Sequence, residues 1–206
     1  MKNRILTSVL AFFAAAGLML ASCTKNDDTT IVPIGTEYYI DDILSVIPDS
    51  LQTSFLTQFG TIYEGAVPPK IEGGYMMDPK QRIGTNLEGW PLLVEPNPVK
   101  LKFNRQHNGI ASMSFYEEVE NEIDTVFICG NGTHFTVYFI EDKDFEVGWM
   151  RRGVILKGQK TEQGIADLRM AQIVMEVEAS GIHIPAPVGS YYIFKDGNGL
   201  AENLDW

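Results

Sequence analysis

The groups in this chain that could do chemistry are two thiols, three imidazoles and a surplus of carboxylates. Spacing decides what they can do. His107, His134 and His183 stand far apart, with no His-x-His or His-Glu-x-x-His pattern to assemble a metal site from sequence neighbours. Residues 196–202 begin like a calcium loop, which needs oxygen ligands at positions 1, 3 and 5, Gly at 6 and Glu at 12. Leu200 and Ala201 fill the fifth and sixth places, so the stretch is expected to be a Gly-rich turn. No Gly-x-Ser-x-Gly elbow and no phosphate-binding Gly-x-x-x-x-Gly-Lys-Ser/Thr loop occurs. Glu117, Glu118 and Glu120 supply the carboxylates a glycosidase would need, but at the end of a strand a solvated run is expected. No catalytic residue, metal or cofactor is therefore assigned.

The thiol of Cys23 has a different setting. Lys2 and Arg4 precede an apolar run over residues 5–21 that ends in small residues, the pattern of a secretory signal peptide. The run is shorter than the ~20 apolar residues of a membrane span and contains Thr7, Ser8 and Gly17. Leu20-Ala21-Ser22-Cys23 resembles the lipobox of bacterial lipoproteins. The resemblance implies diacylglyceryl transfer to the Cys23 thiol, cleavage between Ser22 and Cys23, and acylation of the new amino group. Two or more acyl chains give stable anchoring where one does not. Thr24 follows the cysteine, so the Asp that retains enteric lipoproteins at the inner membrane is absent; Lys25-Asn26-Asp27-Asp28 resembles the surface-export signal of Bacteroidota lipoproteins. The implied location is the outer membrane, lipid-anchored, periplasmic or surface-exposed.

Without residues 1–22 the chain keeps 184 of its 206 residues, enough for one domain with a substantial core. That portion carries 14 basic and 27 acidic side chains, a formal charge of −13. Such a balance excludes nucleic acid as a partner and leaves the covalent lipid as the membrane attachment. Cys129, in the apolar run Val126-Phe127-Ile128-Cys129, has no disulfide partner once Cys23 is acylated and is expected to be a buried small hydrophobe. The expected organisation is a signal peptide at 1–22, the lipidated cysteine and a polar tether at 23–36, and one β-rich domain at 37–206.

The elements that hold these groups follow from periodicity. Ile40, Ile43, Leu44 and Ile47 recur at helical spacing up to Pro48; a second piece with Leu51, Phe55, Leu56 and Phe59, capped by Asp49 or Ser50, ends at Gly60. The stripe predicts core packing, or a plug for the end of a barrel. Beyond Pro68-Pro69 strands are expected at 70–77, after a mainly loop-like 79–98 at 99–104, and at 110–119 beyond the His107-Asn108-Gly109 turn. Further strands are expected at 123–129, after an Asn121-Glu122 turn, and at 133–140, after Gly130-Asn131-Gly132. A charged loop tip at 141–144 then leads to strands at 145–150 and 153–157 around Arg151-Arg152. Residues 165–177 have an Ala, Leu, Met and Glu content that favours helix, while their alternation and the turn spacing favour strand; they are read as strand. Residues 189–194 complete the set, and Trp90, Trp149, Tyr138, Tyr191 and Tyr192 are expected mostly to pack.

Eight or nine short strands with regular turns predict an all-β fold, an antiparallel meander closing into a barrel or forming a sandwich, with a short helical segment at about 40–60. The succession of hairpins over 70–206 resembles small lipocalin-like lipoproteins of Bacteroidota, although Gly73-Gly74-Tyr75 stands where true lipocalins carry Gly-x-Trp. The resemblance implies a non-enzymatic binding module for a small apolar or amphipathic ligand held in a barrel mouth. The alternatives are a surface interaction protein binding glycan or a partner protein, and a hydrolase. Replacing Cys23 with Ser is expected to abolish incorporation of labelled fatty acid and release the protein from membranes; label persisting on the variant would remove the lipobox reading.

Overall fold

The computed structural model describes residues 40–89, 92, 94–95, 97–145, 148–179 and 186–205. The leader, Ser22, Cys23 and the tether lie outside these residues. Two helices, α1 (Ile40–Ser45) and α2 (Asp49–Phe59), come first. The strands follow as β1 (Ala66–Val67), β2 (Gly73–Met77), β3 (Lys80–Thr85), β4 (Val94–Glu95), β5 (Val99–His107) and β6 (Ile110–Tyr116). The rest are β7 (Glu120–Asn131), β8 (His134–Phe145), β9 (Gly148–Lys160), β10 (Gly164–Ala179), β11 (Tyr191–Asp196) and β12 (Leu200–Leu204).

The sheet closes on itself. The order β12-β2-β5-β6-β7-β8-β9-β10 forms a ring of eight strands because β10 also pairs with β12. β10 pairs with β12 through Gly164–Ala166 and with β11 through Arg169–Ile173. The change of partner falls at a register shift where Asp167 takes φ 50°. β3 pairs with β11 as β2 pairs with β12. Antiparallel neighbours joined by short turns make the meander, and the predicted Asn108-Gly109 turn has φ 48° and 76°, the two positive values a type I′ hairpin needs.

Alternation sorts the side chains. Val99, Leu101 and Phe103 on β5, Phe135, Val137 and Phe139 on β8, and Val154 and Leu156 on β9 point into the ring and share one core. The intervening Tyr138, Ile155, Ala171, Ile173 and Ile193 point outwards under Ile43, Ile47, Phe55 and Phe59 of the helical segment. Strands β9 and β10 are thus apolar on both faces, which is why 165–177 reads as either helix or strand in sequence; it is strand. The helices lie on the outside of the ring and do not plug its end. Gly153 makes this approach feasible: a Cβ there would collide with Ile43. Inside the ring Leu101, Met113, Phe115, Phe135, Leu156 and Met170 have 0% of their surface accessible, so no water-sized space touches them.

Several sequence expectations need correction. Asp49 is the first helical residue and Pro48 occupies the N-cap without a side-chain cap; Gly60 does end the helix. Leu56 is 45% exposed. The stretch beginning at 79 contains the strand β3, overlooked because its inward positions are Lys80 and Arg82. The turn before β7 is at 117–119, with Asn121 and Glu122 already in strand. Residues 141–144 continue β8, because Arg151 and Arg152 lie opposite and neutralise its carboxylates; those arginines sit within the single strand β9. β12, beyond the Asp196 turn, was not foreseen.

The ring has one discontinuity. β7 and β8 pair from Asn131↔His134 only as far as Phe127↔Tyr138. Beyond that level β7 continues to Glu120 paired with β6 alone, and β8 continues to Phe145 paired with β9 alone. Phe135→Ala is expected to cost about 3–5 kcal/mol by urea denaturation, whereas Leu56→Ala should stay within about 0.5 kcal/mol. Equal losses at both positions would contradict a packed ring interior.

Candidate functional site

At the end of the ring where β6–β7, β8–β9 and β10–β11 are connected, the inward-facing positions change from apolar to charged. Arg152 follows the Leu156, Val154 row of β9; Glu141 extends the Val137, Phe139 row of β8; Gln172 extends the row of Met170 on β10. Lys80 and Arg82 come from β3, with Lys80 Nζ 4.9 Å from the ring centre of Phe194, and Arg82 5.8 Å from that of Tyr192. Glu117, in the β6–β7 turn, folds inwards over them.

These groups form one network. Arg152 Nη2 pairs with Glu141 Oε2 at 2.6 Å and with Glu117 Oε2 at 3.5 Å, while Nη1 donates to Gln172 Oε1 at 3.0 Å. Lys80 Nζ pairs with Glu117 Oε1 at 2.9 Å, and Gln172 Nε2 donates to both Glu117 oxygens at 3.3 and 3.2 Å. Asn121 Nδ2 donates to Glu141 Oε1 at 3.0 Å. Arg82 pairs with Glu95 of β4. Three cations meet three carboxylates, so the layer is formally neutral. Arg152 Nε finds no hydrogen-bond acceptor among the described residues. Such a buried pair contributes little net stability while intact, yet losing one partner strands the other charge.

Burial alone would push the Glu117 carboxyl up, but Arg152 and Lys80, with the Lys80 hydrogen bond, outweigh it and hold the group below the ordinary carboxylate range. Tyr192 is shifted the other way, its phenol raised by burial against the opposing effect of Arg82 and Arg152.

The sequence-level candidates fare unevenly. Glu117 is not the solvated strand end expected of it, and Glu141 is only 3% exposed. Glu120 is exposed. Tyr138 and Tyr191 are packed as expected, and Trp149 Nε1 donates to Glu178 at 2.9 Å. Trp90 and His183 lie outside the described residues. His134 sits against Tyr63, ring centres 4.7 Å apart, and His107 is exposed at its turn. Asp196 Oδ1 accepts the N–H groups of Asn198, Gly199 and Leu200, and Oδ2 that of Asp78, so this carboxylate organises a turn. Among the described residues no three His, Cys, Asp or Glu side chains could hold a metal ion. Lys80, Arg82, Arg152 and Gln172 escaped the sequence reading. The signal available was charge at positions continuing an apolar row, as Arg152 continues Val154 and Leu156.

A further buried cation, outside this layer, is scaffold. Lys157, on the outer face of β9, donates to Thr61 O at 3.0 Å between the rings of Phe59 and Tyr63. Arg169 donates to Gln58 O and Phe59 O, capping the C-terminal end of α2. Cys129, buried as expected, donates through Sγ to Tyr63 O at 3.4 Å. Burial, with Arg169 nearby, lowers the Lys157 ammonium to about 8.

No protein-family model, no curated protein and no solved structure matches this chain.

Two stability experiments follow. Glu141→Leu, which strands Arg152, should cost about 3–5 kcal/mol, and adding Arg152→Met should recover most of it; additive losses would show that the two do not act as a pair. A Lys157 pKa lower in the folded than in the unfolded chain means the folded state sheds its proton first. Stability should therefore rise with pH from about 8 towards the unfolded value, and Lys157→Met should flatten that slope in urea titrations.

Proposed function

We propose that the chain is an exported, lipid-anchored and non-enzymatic binding module that engages a partner protein through the end of the ring bearing the charged layer. The observation that carries this reading is the distribution of exposed apolar side chains around a packed interior. Of the six large apolar residues exposed among the described residues, four sit on connections at this end: Leu92 and Val94 between β3 and β5, Val119 between β6 and β7, and Val188 between β10 and β11. All six are aliphatic. A sugar surface would call for exposed aromatic platforms, whereas aliphatic residues rimming polar groups suit a protein partner.

The packed interior favours the rim over the inside of the ring as the binding surface. An apolar ligand inside would have to displace side chains already at full burial, losing as much contact as it gained. The charged layer beneath the rim is internally neutral and hydrogen-bonded, which suits a rigid support. The membrane attachment in this reading is lipid on Cys23, joined to the domain through the polar stretch after it.

Photo-cross-linking in intact cells tests the reading. A photoreactive residue at Val119 or Val188 of the full chain should give an adduct of one discrete protein mass, while one at Val67, 75% exposed on β1, should not. Adducts of small-molecule size, or an equal protein adduct from Val67, would overturn it.

A further inference from the structure

In a closed antiparallel ring every strand has a partner on both sides. Alternate residues of a strand direct their N–H and C=O groups to one neighbour, and the intervening residues direct theirs to the other. Above Phe127↔Tyr138 that arrangement fails for β7 and β8. Residues 120–126 are bonded to β6 on one side, residues 139–145 to β9 on one side, and no ladder joins the two. Among the described residues, two strand edges of seven residues each therefore face one another as an open seam. Side chains cross it where backbone does not: Asn121 to Glu141 at 3.0 Å, and Lys143 of β8 to Glu118 of the β6–β7 turn at 3.5 Å.

Unpaired edges invite a further strand unless charge, proline or a covering element prevents it. Neither edge contains proline. The charge is mostly acidic, with Lys143 of β8 the basic exception, paired with Glu118. Glu120, Glu122 and Asp124 on β7 and Asp142 and Asp144 on β8 are all exposed beside the seam. Arg151 occupies Asp142, and Glu122 accepts from the Ser114 hydroxyl; among the described residues Glu120, Asp124 and Asp144 have no basic partner. The opening thus repels an acidic strand and complements a basic one.

We propose that the seam between β7 and β8 is a strand-addition site for an extended, basic segment of the partner protein. The incoming backbone completes the interrupted ladder, its lysines or arginines meet the acidic rows on the outer face, and its apolar residues continue the partly buried inner surface at Ile123. The proposal rests on the partner-protein reading above and names the mode of engagement.

The test uses the full chain in detergent and a fluorescent heptapeptide of alternating lysine and valine, Lys first and last, followed by anisotropy. Saturable binding is expected, about tenfold or more weaker when alternate amides of the peptide are N-methylated, because each lost backbone hydrogen bond counts. The peptide with glutamate in place of lysine should not bind. The exposed triple variant Glu120→Lys, Asp124→Lys, Asp144→Lys should weaken the lysine peptide by a similar factor and admit the glutamate one. No saturable binding, or undiminished binding of the N-methylated peptide, would overturn the strand-addition mode. Protein adducts at Val119 without peptide binding would leave the partner reading standing and remove the seam; peptide binding without adducts would do the reverse.

Discussion

The Arg152 guanidinium holds together the part of the ring that backbone hydrogen bonds do not. Below Phe127 and Tyr138 the β7–β8 ladder is continuous. Above that level β7 and β8 separate, and the groups that keep them in place are Asn121 against Glu141, Glu141 against Arg152, and Arg152 with Gln172 against Glu117. A charge-assisted network substitutes for a stretch of sheet. Its geometry is specific because a half-satisfied network at this depth would be worse than an apolar one.

That substitution explains the division of the interior. Below the network the ring is filled by aromatic and branched side chains and behaves as an ordinary core. At the network the chain gives up apolar packing, and around it the connections carry exposed valines and a leucine. Rigidity comes from the far end, where helix α2, clamped by Lys157 and Arg169, covers the outer face of β9 and β10. The proposed binding surface lies at the near end, where two strand edges and the aliphatic rim are exposed.

Much of the architecture was legible in the sequence because it obeys local rules. The alternation of Val99, Leu101 and Phe103, the Asn108-Gly109 turn and the helical stripe from Ile40 to Phe59 each need only nearest neighbours to interpret. The charged layer was not legible for the opposite reason. Lys80 and Arg82 look like loop residues, and 141–144 looks like a solvated tip, until strands from elsewhere in the chain bring Glu95, Glu117 and Arg152 against them. β9 was divided in two because paired arginines normally mark a surface. The seam is a property of pairing between strands, and no single strand records it.

The ring of backbone hydrogen bonds is interrupted between β7 and β8 and bridged there by side chains. Site-resolved amide hydrogen exchange on the full chain tests it directly. Tyr138, within the paired region, should exchange only through global opening, while alternate amides of 120–126 and 139–144 should exchange orders of magnitude faster. Uniform slow exchange along both strands would mean that the ladder is complete, and the account would fail.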